Sequence, residues 1–397
     1  MANPTRTQEI GSTSCVSPGH YSAKMPSSTE NPRLRILVLS WRDENHPEAG
    51  GAEIFLHRTT SYLAAEGHHV TIHSARFPGS LAEETLDGRR LVRRGGRYTV
   101  YLRGLISAIA AGRRYDVIID VHNGVPFWSP FVTRIPVISL VHHVHREQWE
   151  EVFDPRRARI GWWLESTAAP WVYRRAKYVT VSLNSERELV GLGVESKNIE
   201  VVYSGLDQLL PPNPPPRVIP PTLVVLGRLV PHKRVELAMD TVARLSEEMP
   251  DLHLEVIGHG YWAGELRKYA DSLGIANRVR IAGYVSEQEK SDVLARSTLA
   301  VLPSIKEGWG LAILEAGAVG TPTVAFRDAG GVAESIIDGV TGVLVDNVDE
   351  FHARVRELLL DDKLRLRLGE AARTHSQGFT WRATAVELER VVYGVLP

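Results

Sequence analysis

Two carboxylates and two glycines lie close together in residues 301–319, and their spacing suits the binding of a ligand. An apolar strand there gives way to a polar turn and then to an apolar-periodic helix. Glu307 stands at the turn and Glu315 about two helical turns later, so both side chains are expected to face one cleft. Between them, Gly308 and Gly310 expose backbone N–H groups at a helix N-terminus, which favours a phosphate or a sugar oxygen.

These carboxylates match the chemistry of sugars. A carboxylate accepts two hydrogen bonds, and the vicinal hydroxyls of a sugar or a ribose donate two. We therefore assign Glu315 to a nucleotide ribose and Glu307 to a second sugar. A plain structural explanation also exists for either residue alone, because acidic residues are common near the positive end of a helix.

A basic loop earlier in the chain supplies the opposite charge. The sequence GRLVPHKR follows a strand-like run, and Gly227 allows the tight turn there. Arg228 and Lys233 stand five residues apart on this loop, where both can reach one diphosphate. Charge-assisted hydrogen bonds of this kind contribute roughly 1.5–3 kcal/mol each. Basic side chains on a solvated loop are the alternative.

Glycines and polar side chains also follow buried strands in the first half of the chain. Gly50 and Gly51 precede a helix, where the backbone can approach a phosphate or an acceptor, and no GxGxxG indicates a dinucleotide. His122, Asn123 and His142 follow two later strands. Because the carboxyl ends of parallel strands line the cleft of an open α/β sheet, we expect these three at an acceptor site.

Three histidines, His142, His143 and His145, lie within four residues and raise the question of a metal. No Asp or Cys accompanies them at metal-ligand spacing, and neighbouring positions of a strand point in opposite directions. We therefore expect no metal site and favour a hydrogen-bonding role for His142.

Charge is unevenly distributed, although the net charge of −1 gives no case for a nucleic-acid partner. Residues 33–207 carry 23 Lys+Arg and 20 Asp+Glu, whereas residues 221–397 carry 20 and 25. Much of the excess is one run of arginines: Arg89, Arg90, Arg93, Arg94, Arg97, Arg103, Arg113 and Arg114. A basic, aromatic segment at residues 156–178 includes Trp162, which we assign to the acceptor groove, with a membrane interface or packing in the core or between the domains as alternatives. Three interpretations of these basic residues remain open: a solvated face, a site for an anionic acceptor, and peripheral contact with an acidic membrane.

Length and composition predict two α/β domains, with a third not excluded. Residues 1–32 form an expected disordered tail, in which Met25 is an alternative start, followed by a domain at 33–208. A proline-rich linker at 209–221 leads to a second domain at 222–380, and a helix at 381–397 crosses back.

The single cysteine, Cys15, excludes an internal disulfide and fits a reducing cytoplasm. No apolar run approaches the ~18 residues needed to span a bilayer.

The second half of the chain carries a familiar order of motifs. GRLVPHK, GHG, KEGWGLAILEAGAVGTPTVA and GGxxE resemble those of the bacterial, retaining family 4 glycosyltransferases, and the similarity runs from about residue 33 onward. The resemblance implies the GT-B fold, with two Rossmann-like α/β/α domains facing each other across a deep cleft. It also implies that Arg228 and Lys233 bind the diphosphate, Glu315 the ribose and Glu307 the donor sugar, while His142 contacts the sugar or positions the reaction.

The resemblance adds further donor-binding positions, most of them in backbone turns. The donor set beyond the charged residues is Gly50, Gly51, Gly258, Tyr284, Val285, Gly308, Trp309, Gly310 and Leu311. Two positions depart from the pattern. Trp309 stands where phenylalanine is common, an exchange expected to narrow the sugar pocket, and Ser204 replaces the usual asparagine.

The expected activity is transfer of a hexose from a UDP- or GDP-sugar to a hydroxyl of a small molecule, lipid or polysaccharide. The resemblance implies retention of anomeric configuration and no metal cofactor. We expect a cytoplasmic protein, with peripheral contact at the inner face of the membrane as the alternative. An epimerase or phosphorylase of the same fold and a non-catalytic subunit that binds nucleotide sugars are the alternatives. The sequence leaves the sugar, the nucleobase, the acceptor and the oligomeric state open.

Overall fold

Short runs of aliphatic residues form two separate sheets in the computed structural model, which describes residues 32–112, 114–207 and 220–397. The strands of the first sheet are β1 (Arg35–Leu39), β2 (His69–Ser74), β3 (Glu83–Leu86), β4 (Arg89–Arg93), β5 (Val117–His122), β6 (Val137–Val141), β7 (Lys177–Thr180) and β8 (Ile199–Val201). Their order is β3-β4-β2-β1-β5-β6-β7-β8, and within the described chain only the β3–β4 pairing is antiparallel. Helices cover both faces, so β5 is buried along its whole length.

The second sheet is parallel throughout the described part of the chain. Its strands are β9 (Thr222–Leu226), β10 (His253–Ile257), β11 (Val279–Gly283), β12 (Leu299–Leu302), β13 (Thr323–Phe326) and β14 (Gly342–Val345), in the order β11-β10-β9-β12-β13-β14. The order reverses beside β9 and β12, and in open α/β sheets this switch point is where ligands bind. Arg228 follows β9 and Glu307 follows β12, so both lie at this switch point.

The helices connect the strands and shield the two sheets. They are α1 (Gly51–Ala65), α2 (Thr99–Ala111), α3 (Arg146–Val152), α4 (Pro155–Trp163), α5 (Ala169–Val172), α6 (Leu183–Gly191), α7 (Val235–Arg244), α8 (Ala263–Ser272), α9 (Glu287–Arg296), α10 (Leu311–Ala318), α11 (Val332–Ser335), α12 (Val348–Leu360), α13 (Asp362–Ser376) and α14 (Trp381–Gly394). The last helix, α14, packs its Leu388 and Val392 into the apolar cluster that contains Phe55 and Leu56 of α1.

The α/β class predicted from the sequence is confirmed by this topology. The predicted tail and most of the predicted linker fall on residues 1–31 and 208–219, which lie outside the described residues. Among the residues that the structure describes, no helix is both long and apolar enough to cross a membrane.

The arginines between residues 89 and 114 do not form one basic surface. The interpretation of the run as a basic surface is wrong for Arg89 and Arg93, whose side chains are buried. Arg93 binds Asp43 through two bonds, Nε–Oδ2 at 2.7 Å and Nη2–Oδ1 at 3.1 Å, and also pairs with Glu84. Arg89 Nη2 lies 2.8 Å from Glu44 Oε1. These pairs fasten the loop that precedes α1, because Asp43 and Glu44 belong to that loop and the arginines belong to β4.

The same contacts set the ionisation of Glu44. Burial alone would raise the pKa of this carboxyl, but the hydrogen bond from His57 and the charge of Arg89 outweigh it and lower the pKa to about 2. Glu44 is therefore charged at neutral pH, and the loop is held by ion pairs rather than by neutral hydrogen bonds.

We predict that Arg93→Met destabilises the first domain by about 3–5 kcal/mol, because it leaves the Asp43 carboxylate buried without its cation. Arg90→Gln on the same strand is the matched control. Arg90 pairs with Glu83 at the surface, so its loss is expected to cost less than about 1 kcal/mol. Thermal and urea unfolding of both variants measure the difference, and equal losses would contradict the buried clamp.

Candidate active site

The turn that carries Glu307 is held by backbone hydrogen bonds to the loop after β13. The Glu307 N–H donates to the Ala329 carbonyl at 3.0 Å, and the Gly331 N–H donates back to the Glu307 carbonyl at 3.0 Å. A Cβ on Gly331 would lie 2.1 Å from the carbonyl oxygen of Gly308, so only glycine permits this approach. The position of the Glu307 side chain is thus set by the backbone of two loops.

Lys233 and Glu307 meet directly. The Lys233 Nζ lies 2.5 Å from Glu307 Oε1, and both side chains are largely buried, at 16% and 13% exposure. The pair joins the loop after β9 to the turn after β12, which are neighbouring strands of the sheet. The sequence placed these two residues in one site from motif order alone, and the structure brings their charged atoms together.

Arg228 lies between the two domains. Its side chain rests on Gly50 of the first domain, since a Cβ there would lie 3.5 Å from Arg228 Cδ and Nε. Burial and then the charge of Arg42 lower the pKa of Arg228. Its guanidinium donates no hydrogen bond to a described residue and forms no ion pair with one. A partly buried guanidinium of this kind is suited to bind an anion.

Glu315 lies in an adjoining cavity of about 130 Å³ between α1, α9, α10 and α14. It pairs with Lys290 at 2.6 Å, and Lys290 also pairs with Glu287 at 2.7 Å. Burial raises the pKa of Glu315, and the charge of Lys290 opposes that rise. Leu311 lines this cavity and also contacts the first domain, where a Cβ on Gly51 would lie 3.3 Å from Leu311 Cδ1. The cavity therefore adjoins the Arg228 region.

Two family models match the chain in succession. Residues 49–208 match Glycosyltransferase Family 4, and residues 212–375 match Glycosyl transferases group 1. The chain belongs to the family 4 glycosyltransferases. The family predicted from the motifs is confirmed, and so is the GT-B fold.

The matches between this glycosyltransferase and individual relatives extend over different lengths of the chain. The D-inositol 3-phosphate glycosyltransferase of Corynebacterium diphtheriae is 38% identical over 43% of this chain, and the match spans only 42% of that enzyme. The glycogen synthase of Mycobacterium tuberculosis is 28% identical over 90% of this chain and 94% of its own length. Anabaena HepE, solved in complex with UDP-glucose, superposes with a TM-score of 0.72 at 18% identity, covering 91% of this chain and all of HepE.

His142 of this glycosyltransferase contacts the second domain through its backbone rather than its ring. A Cβ on Gly308 would lie 2.8 Å from the His142 carbonyl oxygen. The His142 ring packs edge-on against Phe55 with centroids 5.2 Å apart, and burial lowers its pKa to about 4. Its Nε2 is buried and finds no hydrogen-bond partner in the described chain.

His143 is the neighbouring ring that the sequence interpretation passed over. It stacks on His145 with centroids 4.3 Å apart and donates from Nε2 to Gln148 at 3.2 Å. Burial, with the charges of His145, His142, Lys306 and Arg228, lowers its pKa well below the usual range. No sequence signal distinguished the two rings, because both histidines lie beyond the end of β6, where strand alternation no longer sets side-chain direction.

Two other predictions are wrong for the side chains concerned. His122, assigned to the acceptor, lies in the core of the first domain, where it shares a hydrogen bond with Ser139 at 3.1 Å and packs on Tyr173. The Trp309 side chain does not narrow a sugar pocket. It is 3% exposed and packs against Tyr203 and Phe379, with ring centroids 4.5 Å and 5.4 Å away. Apolar surface on both sides of the cleft decides its orientation.

The remaining assigned residues occupy varied environments, and their roles stay predictions. Asn123 has a buried amide nitrogen with no partner in the described chain, and Trp162 is half-buried under the Arg146 guanidinium. Gly258 packs against backbone, since its Cβ would lie 1.8 Å from the Gly227 carbonyl oxygen. At the donor side Tyr284 is 81% exposed. The other assigned positions there are Val285, which is partly buried, and Gly310, whose φ of 89° starts α10.

Glu334 ties the two domains together. Its carboxylate accepts the backbone N–H groups of Leu183 and Asn184, each at 2.7 Å, at the N-terminus of α6 in the first domain. Burial raises the pKa of Glu334, while these two hydrogen bonds oppose the rise. A negative charge at a helix N-terminus is stabilising, so this contact favours the closed arrangement. The GGxxE motif marked Glu334 without indicating this contact.

We predict that Gly308→Ala separates the domains of the glycosyltransferase. The added methyl would meet the His142 carbonyl, which is backbone and cannot swing aside. Small-angle scattering should report a larger radius of gyration, and the thermal midpoint should fall. Gly264→Ala is the control, because a Cβ there meets nothing within 4 Å. Identical scattering from the Gly308 variant and the wild type would contradict a tight contact.

Proposed function

We propose that this glycosyltransferase moves a hexose from a UDP- or GDP-sugar to a hydroxyl group of its acceptor with retention of anomeric configuration. One observation carries the proposal: the partly buried Arg228 side chain lies against Gly50 at the sheet switch point, where Lys233 pairs with Glu307. The complex of HepE with UDP-glucose supports a nucleotide-sugar donor on this fold.

The leaving group is a nucleoside diphosphate, and its departure builds up negative charge. Arg228 and Lys233 would hold the diphosphate, and the N–H groups at the start of α10 would add a third positive contribution. Such charges stabilise the transition state without reorganising, because the fold has already placed them. These groups supply the required positive charge, so the proposal needs no metal.

The two carboxylates would hold the sugars on either side of the diphosphate. Glu307 would accept hydrogen bonds from hydroxyls of the donor hexose. Glu315 would accept hydrogen bonds from the ribose hydroxyls, because its partner Lys290 is shared with Glu287. Glu307 is not proposed as a covalent nucleophile, because its ion pair with Lys233 reduces its nucleophilicity. Retention instead follows from attack on the face that the diphosphate leaves, with a leaving phosphate oxygen taking the proton of the acceptor hydroxyl.

Closure of the cleft would favour transfer over hydrolysis. The Gly308–His142 approach and the Glu334 contact with α6 both bring backbone of the two domains together around the Arg228 region. Exclusion of water strengthens the electrostatic contacts and protects the activated sugar.

The acceptor is proposed only as a hydroxyl of a small molecule, a lipid or a polysaccharide. The names of the relatives mention inositol phosphate and glycogen, which are polyols of very different size. A nucleotide-sugar donor and the single cysteine both fit a cytoplasmic location.

We predict that Lys233→Ala lowers turnover by about 10²–10³-fold, the loss expected for one preorganised charge on a developing anion. Release of nucleoside diphosphate in the presence of acceptor measures it. Lys268→Ala is the control, since Lys268 is an exposed lysine paired with Glu265. Turnover of the Lys233 variant that matches the wild type would reject the site.

We also predict that one member of a panel of UDP-, GDP-, ADP- and TDP-sugars raises the thermal midpoint. The gain corresponds to about 2.7 kcal/mol at a hundred times the dissociation constant. Glu315→Gln should lose most of the gain, because it weakens the contact with the ribose. Consumption of the donor without any acceptor would favour an epimerase instead, and dependence on inorganic phosphate would favour a phosphorylase.

A further inference from the structure

A row of apolar side chains lies exposed on one side of the first domain. Helix α4 continues through a wide turn, Leu164–Ala168, directly into α5. Along this segment Ile160, Trp163 and Trp171 are 61%, 56% and 61% exposed. Their spacing of three and eight residues places them on one side of the helical segment, whereas Ala158 and Ala169 are buried on the other.

Helix α2 presents a second row. Leu102, Ile106 and Ile109 are 61%, 48% and 58% exposed and are spaced at i, i+4 and i+7. The opposite side of α2, which includes Val100 and Ala108, packs on the sheet. Single exposed apolar residues are normal on a protein surface. These two rows are contiguous, as at sites of interaction.

Phe131 joins the two rows. It is 62% exposed in the short turn Ser129–Phe131, which packs against α2. Its ring centroid lies 6.3 Å from that of Trp171. We call the joined surface the apolar face, consisting of Leu102, Ile106, Ile109, Phe131, Ile160, Trp163 and Trp171.

Most of the charged side chains on the elements that carry the apolar face are positive, although the exposed Asp154 caps α4 and pairs with Arg157. Exposed arginines lie on or beside the same elements: Arg103, Arg114, Arg134, Arg156, Arg159, Arg174 and Arg175. Arg174 covers the Trp171 ring at 5.0 Å. Residues 88–115 contain no acid, and Glu165 is the only acid in residues 155–175. Glu165 is buried and holds His145 and Trp149, so it does not offset the exposed charge.

We propose that the apolar face docks this glycosyltransferase onto the surface of an anionic lipid bilayer. Tryptophans with an apolar body and a polar N–H suit the interface, and arginines extend their charge to anionic headgroups. A second copy of the chain is disfavoured as the occupant, because two arginine-rimmed faces would meet with like charges opposed. Only Arg103 and Arg114 of the arginine run considered in the sequence are among these exposed arginines, while Arg89 and Arg93 are buried.

Vesicle flotation of the full chain tests the proposal without any nucleotide sugar, so its outcome is independent of the proposed reaction. The protein should float with vesicles of phosphatidylcholine and phosphatidylglycerol in equal parts and much less with phosphatidylcholine alone. Added salt should weaken the binding, because the arginine contribution is screened.

Variants separate the apolar and charged contributions. Trp163→Ser with Trp171→Ser should lower the partition by about tenfold or more. Arg174→Gln with Arg175→Gln should weaken the preference for anionic vesicles, because two of the seven exposed arginines are lost. The control, Leu360→Ser with Leu366→Ser, replaces leucines of similar exposure, 55% and 56%, in the second domain and should bind like the wild type. Unchanged thermal midpoints would confirm that the variants fold.

Two outcomes would overturn the proposal. One is equal flotation of the wild type and the tryptophan variant with anionic vesicles. The other is a wild-type dimer in light scattering that the tryptophan variant abolishes, without vesicle binding by either, which would make the face a contact between copies.

Discussion

Arg228 is a partly buried cation between the two domains with no carboxylate partner among the described residues, and such a position is costly. The nearest acids are already engaged. Glu53 accepts one hydrogen bond from Arg42 at 3.0 Å and another from the Gly50 N–H at 2.7 Å, while Glu307 is paired with Lys233. The guanidinium therefore keeps its capacity to bind an anion, and its side chain lies against the backbone of Gly50. The organisation of the cleft follows from this constraint.

The closed arrangement depends on contacts of several kinds that cross between the domains. Glu334 caps α6, Lys306 pairs with Glu188, and the His259 ring donates to the Pro47 carbonyl at 2.5 Å. Trp309 adds an apolar contact by entering the cluster of the first domain. Polar contacts can exchange with water when a cleft opens, whereas the Trp309 contact would expose apolar surface. Opening should therefore pivot near Trp309 and break the polar contacts first.

The sequence predicted the family, the fold and the proximity of Lys233 and Glu307, because short motifs at strand ends determine where backbone and charge lie. It did not predict which histidine ring would turn inward, since His142 and His143 are adjacent and only tertiary packing decides between them. Nor did it predict the Trp309 orientation or the Glu334 contact, which join segments more than a hundred residues apart. The role of each residue in binding the donor remains a prediction.

The arginines of this chain separate according to the carboxylates within reach, not according to their position in the sequence. Arg93 meets two acids and becomes a buried part of the scaffold. Arg228 meets acids that are already engaged and remains able to bind an anion. Among the described residues Arg174 has no acidic partner, and it lies over Trp171. The same side chain thus stabilises a loop, prepares a ligand site or marks a surface. A count of basic residues cannot distinguish these roles, because each is decided by neighbours that only the fold supplies.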